Sequence, residues 1–212
     1  MEIRDILAGI EKERSYENFI SWIHKVFTDF EKNAELLDKE YFLKLKDSQK
    51  EDMAKKYREE ILPLAIMLEK FKDYFQDFSF IYNVGDQPYD AVARKGSKIY
   101  YIEIVTAFIN KEILREDKEL LEIGMSGSPQ ISVETTIGLI KKALRHKVNK
   151  EYNGDYVLLI VVDEKGFYRA RLKERFEEEI KGTVWDKGNF RDVFVVGTWQ
   201  SISNRLESHG QI

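Results

Sequence analysis

The chain has no cysteine and only three histidines. Without cysteine there is no disulfide, thiolate metal ligand or cysteine nucleophile. His24, His146 and His209 are too scattered to suggest a histidine-rich zinc centre. No run approaches the roughly 18 apolar residues of a membrane span. The opening Met1-Glu2-Ile3-Arg4-Asp5 lacks the apolar core of a signal peptide, so the expectation is a cytoplasmic protein with no membrane partner. No phosphate loop, dinucleotide fingerprint or calcium loop occurs, and Gly124-Met125-Ser126-Gly127-Ser128 lacks the spacing of a nucleophile elbow. Positive charge is not in excess either. With a net charge of -4 and a pI near 5.6, any nucleic-acid binding must come from a local patch.

What is present suffices for a folded core: of 212 residues, 43% are hydrophobic and 13% aromatic, a length suited to one domain. The first 76 residues read as helical. Ile3, Ile6, Leu7 and Ile10 recur at helical spacing, and so do Phe19, Ile20, Ile23, Val26, Phe27 and Phe30, with Ser15 as a cap. A charged stretch, Glu35 to Lys56, follows. A helix is then predicted from about Glu51 to Phe75, facing inward with Tyr57, Ile61, Leu64, Ala65, Leu68 and Phe75; Pro63 must kink it or open a new helix. Strands are predicted over Phe78–Val84, Tyr89–Arg94 and Lys98–Thr106. A polar connection runs from Asn110 to Gly124, and an amphipathic helix from Ser132 to Tyr152 is stopped by Asn153-Gly154. A buried strand (Tyr156–Val162), a charged helix (Arg169–Lys181) and a last strand (Val193–Val196) complete the pattern. The order suggests an α/β fold with a meander first and a right-handed crossover later. Residues 1–50 are expected to form an N-terminal helical extension, packed as one unit with an α/β domain over 51–212.

The most informative spacing lies between Tyr89 and Val105. If Gly96-Ser97 is a two-residue hairpin loop, glycine supplies the positive φ that a type II′ turn needs first. Lys95 then faces Lys98 and, in continuing register, Asp90 faces Glu103. A four-residue loop would shift the pairing but keep both acids on one face. Opposed side chains lie about 4.5–5.5 Å apart at Cβ, so two carboxylates there would repel unless a hard cation such as magnesium or manganese offset them. The competing reading has Asp90 merely start the strand and Glu103 solvated; Ile102 and Ile104, flanking Glu103 in an apolar strand, make solvation awkward.

Asp90 after Pro88-Tyr89, followed by Glu103 in Ile102-Glu103-Ile104-Val105, resembles the PD-(D/E)xK pattern of the restriction-endonuclease-like nuclease superfamily. The element order from about Glu51 to Val162 is similar to that superfamily's core, and the resemblance covers roughly the central half of the chain. It implies a mixed sheet flanked by helices and a magnesium- or manganese-dependent nuclease acting on nucleic acid, DNA in particular. Asp90 and Glu103 would be the metal-binding catalytic acids, and the Ile104 carbonyl a further ligand. The family's additional helical glutamate would be Glu60, which borders the Ile61-Leu64-Leu68 face, whereas Glu59 points away. One departure stands out: the family lysine falls at Val105. Some relatives supply it from a neighbouring element and others have lost catalysis. Lys147 is the first candidate for a relocated lysine and Lys141 the second, since both border the apolar face Ile137-Ile140-Leu144-Val148 of the later helix. Lys142, Arg145 and Lys150 point further outward and are candidate nucleic-acid contacts, in a stretch from Thr135 to Lys150 that contains no acid. The same stretch reads equally well as a solvated helix face. The competing function is an inactive nuclease-fold protein that binds nucleic acid or regulates a partner. No feature specifies the oligomeric state, and a homodimer is compatible with the sequence.

Overall fold

A computed structural model describes residues 9–32, 57–83, 87–107, 132–152, 154–163, 170–197 and 202–207. The chain divides into two compact units, Met1–Ile104 and Val105–Ile212.

In the first unit, β1 (Arg14–Ser15) leads directly into α1 (Tyr16–Lys32). Tyr16, Phe19, Ile23 and Val26 recur at the spacing that puts them on one helical face, and all are buried. Phe27, expected on that face, is 40% exposed. Ser15 precedes the helix as expected of a cap, but its backbone belongs to β1, opposite Ser79. Ile10 is not helical: it lies in a turn closed by the Lys12 amide on the Gly9 carbonyl at 3.0 Å. Ile3, Ile6, Leu7 and the charged stretch after Asn33 lie outside the described residues.

The predicted helix up to Phe75 is broken into three pieces. A π-helical turn (Tyr57–Ile61) precedes α2 (Leu62–Lys70), and α3 (Lys72–Phe75) follows Phe71. Pro63 sits in the first turn of α2, at its junction with the π-helical turn, so the new helix expected at the proline is where α2 begins. All six residues expected on the inward face are buried.

Helix α1 packs on α2 and β2. Strands β2 (Ser79–Tyr82), β3 (Ala91–Lys95) and β4 (Lys98–Thr106) form an antiparallel meander, with β1 antiparallel to the outer side of β2. Phe80 is the hub of an aromatic core, its ring 5.5 Å from Phe19 and 6.1 Å from Phe75. Such tilted and edge-on pairs follow from the ring quadrupole.

In the second unit, α4 (Val133–Val148) begins at Ser132, whose hydroxyl accepts the Thr135 amide at 3.1 Å. Glu134 in its first turn has its carboxyl held below the usual range, first by its own backbone amide and by Ser132, and further by Arg175. The helix ends at Val148, with Asn149 as its cap, ahead of the expected Asn153-Gly154 stop. β5 (Asp155–Val162) and β6 (Asp192–Gly197) are parallel neighbours joined through α5 (Ala170–Gly182), the long connection that parallel strands require. Every residue of β5 after Asp155 is buried, as its unbroken apolar run predicts.

A further strand, β7 (Ser203–Leu206), pairs antiparallel with β6 and was missed from sequence because Ser203-Asn204-Arg205 carries no apolar alternation. It secures the buried Asp192 carboxylate, which accepts from Arg205 Nε at 2.8 Å and Nη2 at 2.5 Å. The expected α/β class therefore holds: the described residues contain seven strands of mixed direction with helices packed on them.

Candidate functional site

The hairpin register follows the turn. Gly96 has φ +61°, Lys95 faces Lys98, and the pairing runs unbroken to Ala91 opposite Ile102. At Asp90 the ladder changes. The Asp90 amide donates to the Ile102 carbonyl at 2.9 Å, so two successive residues, Asp90 and Ala91, converge on Ile102 in the manner of a β-bulge. Continued register would send the Ile104 amide to the carbonyl of residue 89. It donates instead to Asp90 Oδ2, at 2.6 Å, while the Tyr89 carbonyl accepts the Asn83 side-chain amide at 3.4 Å.

Asp90 thus holds β4 at two points, one on each side of Glu103. Its backbone carbonyl also accepts the Asn83 amide at 2.8 Å, which ties it to β2. Glu103 is one of few buried ionisable residues among those described, at 7% exposure. Its neighbours along the strand, Ile102 and Ile104, are apolar and buried.

Glu60 reaches the meander from the π-helical turn, where its Oε2 accepts the Tyr82 hydroxyl. Tyr82 faces Ala91, and Ala91 faces Ile102. Strand alternation therefore puts Tyr82 on the side of Ile102 and Glu103 on the other. Glu60 approaches through Tyr82 on the face opposite that of Glu103. Tyr82 went unremarked in the sequence because a tyrosine in an aromatic strand looks like core, and it is indeed fully buried.

The basic candidates lie in the second unit. Lys141, Lys142, Arg145 and Lys147 are on α4, and Lys150 just beyond it. Lys147 is half-buried and Lys141 exposed, which follows from their positions on opposite flanks of the Ile137-Ile140-Leu144 stripe. Lys142, Arg145 and Lys150 are exposed, as is His146. Among the described residues, no three His, Asp or Glu side chains form a group that could hold a metal ion. The expected register that sets Asp90 opposite Glu103 is not kept: regular pairing ends at Ala91 opposite Ile102, and the Asp90 amide bonds to Ile102 as well. Searches of protein-family models, curated proteins and solved structures find no match to this chain.

Proposed function

We propose that the chain is a metal-dependent phosphodiesterase of the restriction-endonuclease-like PD-(D/E)xK type, acting on nucleic acid and on DNA in particular. One observation carries this reading: Asp90, just before β3, binds the β4 backbone on either side of the buried Glu103, its carboxylate accepting the Ile104 amide and its own amide donating to the Ile102 carbonyl. The two carboxylates are hard oxygen donors, the type that magnesium and manganese take together with water and phosphate oxygens. The Asp90 carboxylate is oriented by its bond from the Ile104 amide; it and Glu103 would be the ligands of a divalent cation, with the Ile104 carbonyl as a third donor. A bound ion would supply Lewis-acid polarisation of the scissile phosphate and a more acidic water.

The test is direct. Manganese at millimolar concentration should raise the melting temperature by mass action, and the metal-loaded protein should cleave a DNA or RNA substrate. Absence of binding by calorimetry would refute the metal site.

A second reading, a non-catalytic nucleic-acid-binding or regulatory protein of the same fold, is favoured by Val105 at the position of the family lysine. Binding of DNA without cleavage in any metal would select it. Both readings use the exposed cations of α4. Replacing Lys142 and Arg145 by glutamate should weaken DNA binding and reduce the slope of log affinity against log salt by about two. Helix propensity is nearly unchanged by these replacements. An unaltered slope would place the binding surface elsewhere.

A further inference from the structure

We propose that the second unit carries a nucleotide-binding pocket between α4 and the segment that follows α5, and that it works without Asp90 and Glu103. A cavity of about 380 Å³ lies there, at the small end of the roughly 300–1,000 Å³ of ligand pockets. Its size suits one nucleotide rather than a duplex.

Four features select the ligand. Lys141 and Arg145, one helical turn apart, both line the cavity, and neither forms an ion pair or side-chain hydrogen bond among the described residues. They make the pocket a place for an anion. Leu144 and Trp185 are buried and form an apolar floor. The indole N–H of Trp185 is already committed to the Ile180 carbonyl at 2.9 Å, which fixes the ring. Val184, at the rim, is 74% exposed, an apolar side chain with little covering it. Asn149 and Asp186 add hydrogen-bonding groups to the lining, Asp186 being oriented by the Gly188 amide on its Oδ1 at 3.0 Å.

A fatty acid would satisfy the cations and floor but bury Asn149 and Asp186 against hydrocarbon, at a cost. Inorganic phosphate would satisfy the cations and leave Val184 bare. A nucleotide meets all four, with its phosphate on Lys141 and Arg145, its flat base on the apolar wall, and its base edge or sugar hydroxyls on Asn149 and Asp186. The source of that chemistry is either a free mononucleotide or the terminal nucleotide of a single strand.

Calorimetric titration of the full chain in metal-free buffer tests this, so its outcome is separate from that of the carboxylate reading. Thymidine 5′-monophosphate should bind at least tenfold more tightly than thymidine or inorganic phosphate. Lys141→Gln combined with Arg145→Gln should lower that affinity at least tenfold with no change in melting temperature, because both side chains are exposed. Val184→Asp should do the same through the rim. A 5′-phosphorylated pentathymidylate that displaces the mononucleotide identifies a strand end as the source; failure to compete identifies the free nucleotide. Equal affinity for phosphate and mononucleotide, undiminished affinity in the double variant, or no binding of either thymidylate would overturn the proposal.

Discussion

Asp90→Asn should abolish the manganese-dependent rise in melting temperature and lower phosphodiester cleavage by about a hundredfold or more, the scale for loss of one positioned electrostatic group. Without metal, the same variant should melt within a few degrees of the wild type. Asparagine keeps a carbonyl oxygen that can accept the Ile104 amide, now held at 2.6 Å by Asp90 Oδ2. Asp90→Ala removes that acceptor and leaves a backbone N–H of a buried residue without its partner. An unmet donor costs about 1–3 kcal/mol, so alanine should melt several degrees below asparagine. The two variants separate the jobs of one side chain. Equal melting of the pair in metal-free buffer would refute the ladder role, and an intact manganese response in both would refute the metal role.

Gly188→Ala should destabilise the second unit by about 2–5 kcal/mol, a drop of roughly 4–20 °C for a chain of this length. Two costs combine. Gly188 has φ +52°, a conformation that costs an L-residue about 1–2 kcal/mol. A Cβ there would also come within 2.6 Å of Val148 Cγ1. Valine is stiff at χ1 and cannot swing aside, so overpacking adds about 1–3 kcal/mol. In a Val148→Ala background the contacts with both Cγ atoms are lost, leaving Cβ at 3.3 Å and the backbone cost, so Gly188→Ala should cost less there. A double-mutant cycle by chemical denaturation measures the difference; a coupling near zero would refute the clash.

These two glycines show how far local chemistry carries a reading of this chain. Gly96 announces itself, because a Gly-Ser pair between apolar runs specifies a hairpin whose register then follows by counting. Gly188 does not, since its neighbour Val148 is 40 residues away and only tertiary packing brings them together. The same division runs through the candidate site. The placement of Glu103 in an apolar strand was legible. The bulge at Asp90 was not, because it depends on a side-chain oxygen replacing a backbone carbonyl in the ladder. Strand β7 escaped notice for a related reason: its polar residues are held by pairing with β6 and by Asp192 rather than by an apolar face. The cavity beside α4 belongs to the same class, as its walls come from segments some 40 residues apart.

The complete burial of β5 after Asp155 bears on how this protein fares when it is not folded. Tyr156-Val157-Leu158-Leu159-Ile160-Val161-Val162 is a seven-residue window of high β-propensity with no charge, proline or glycine. Exposed in a partly opened second unit, such a window would pair with another copy of itself. Asp155 and Asp163 stand immediately at its two ends, and stacking two copies in register would bring like charges together at both. The aspartates would therefore act as gatekeepers for the unfolded chain, a task set by their place in the sequence rather than by the folded sheet.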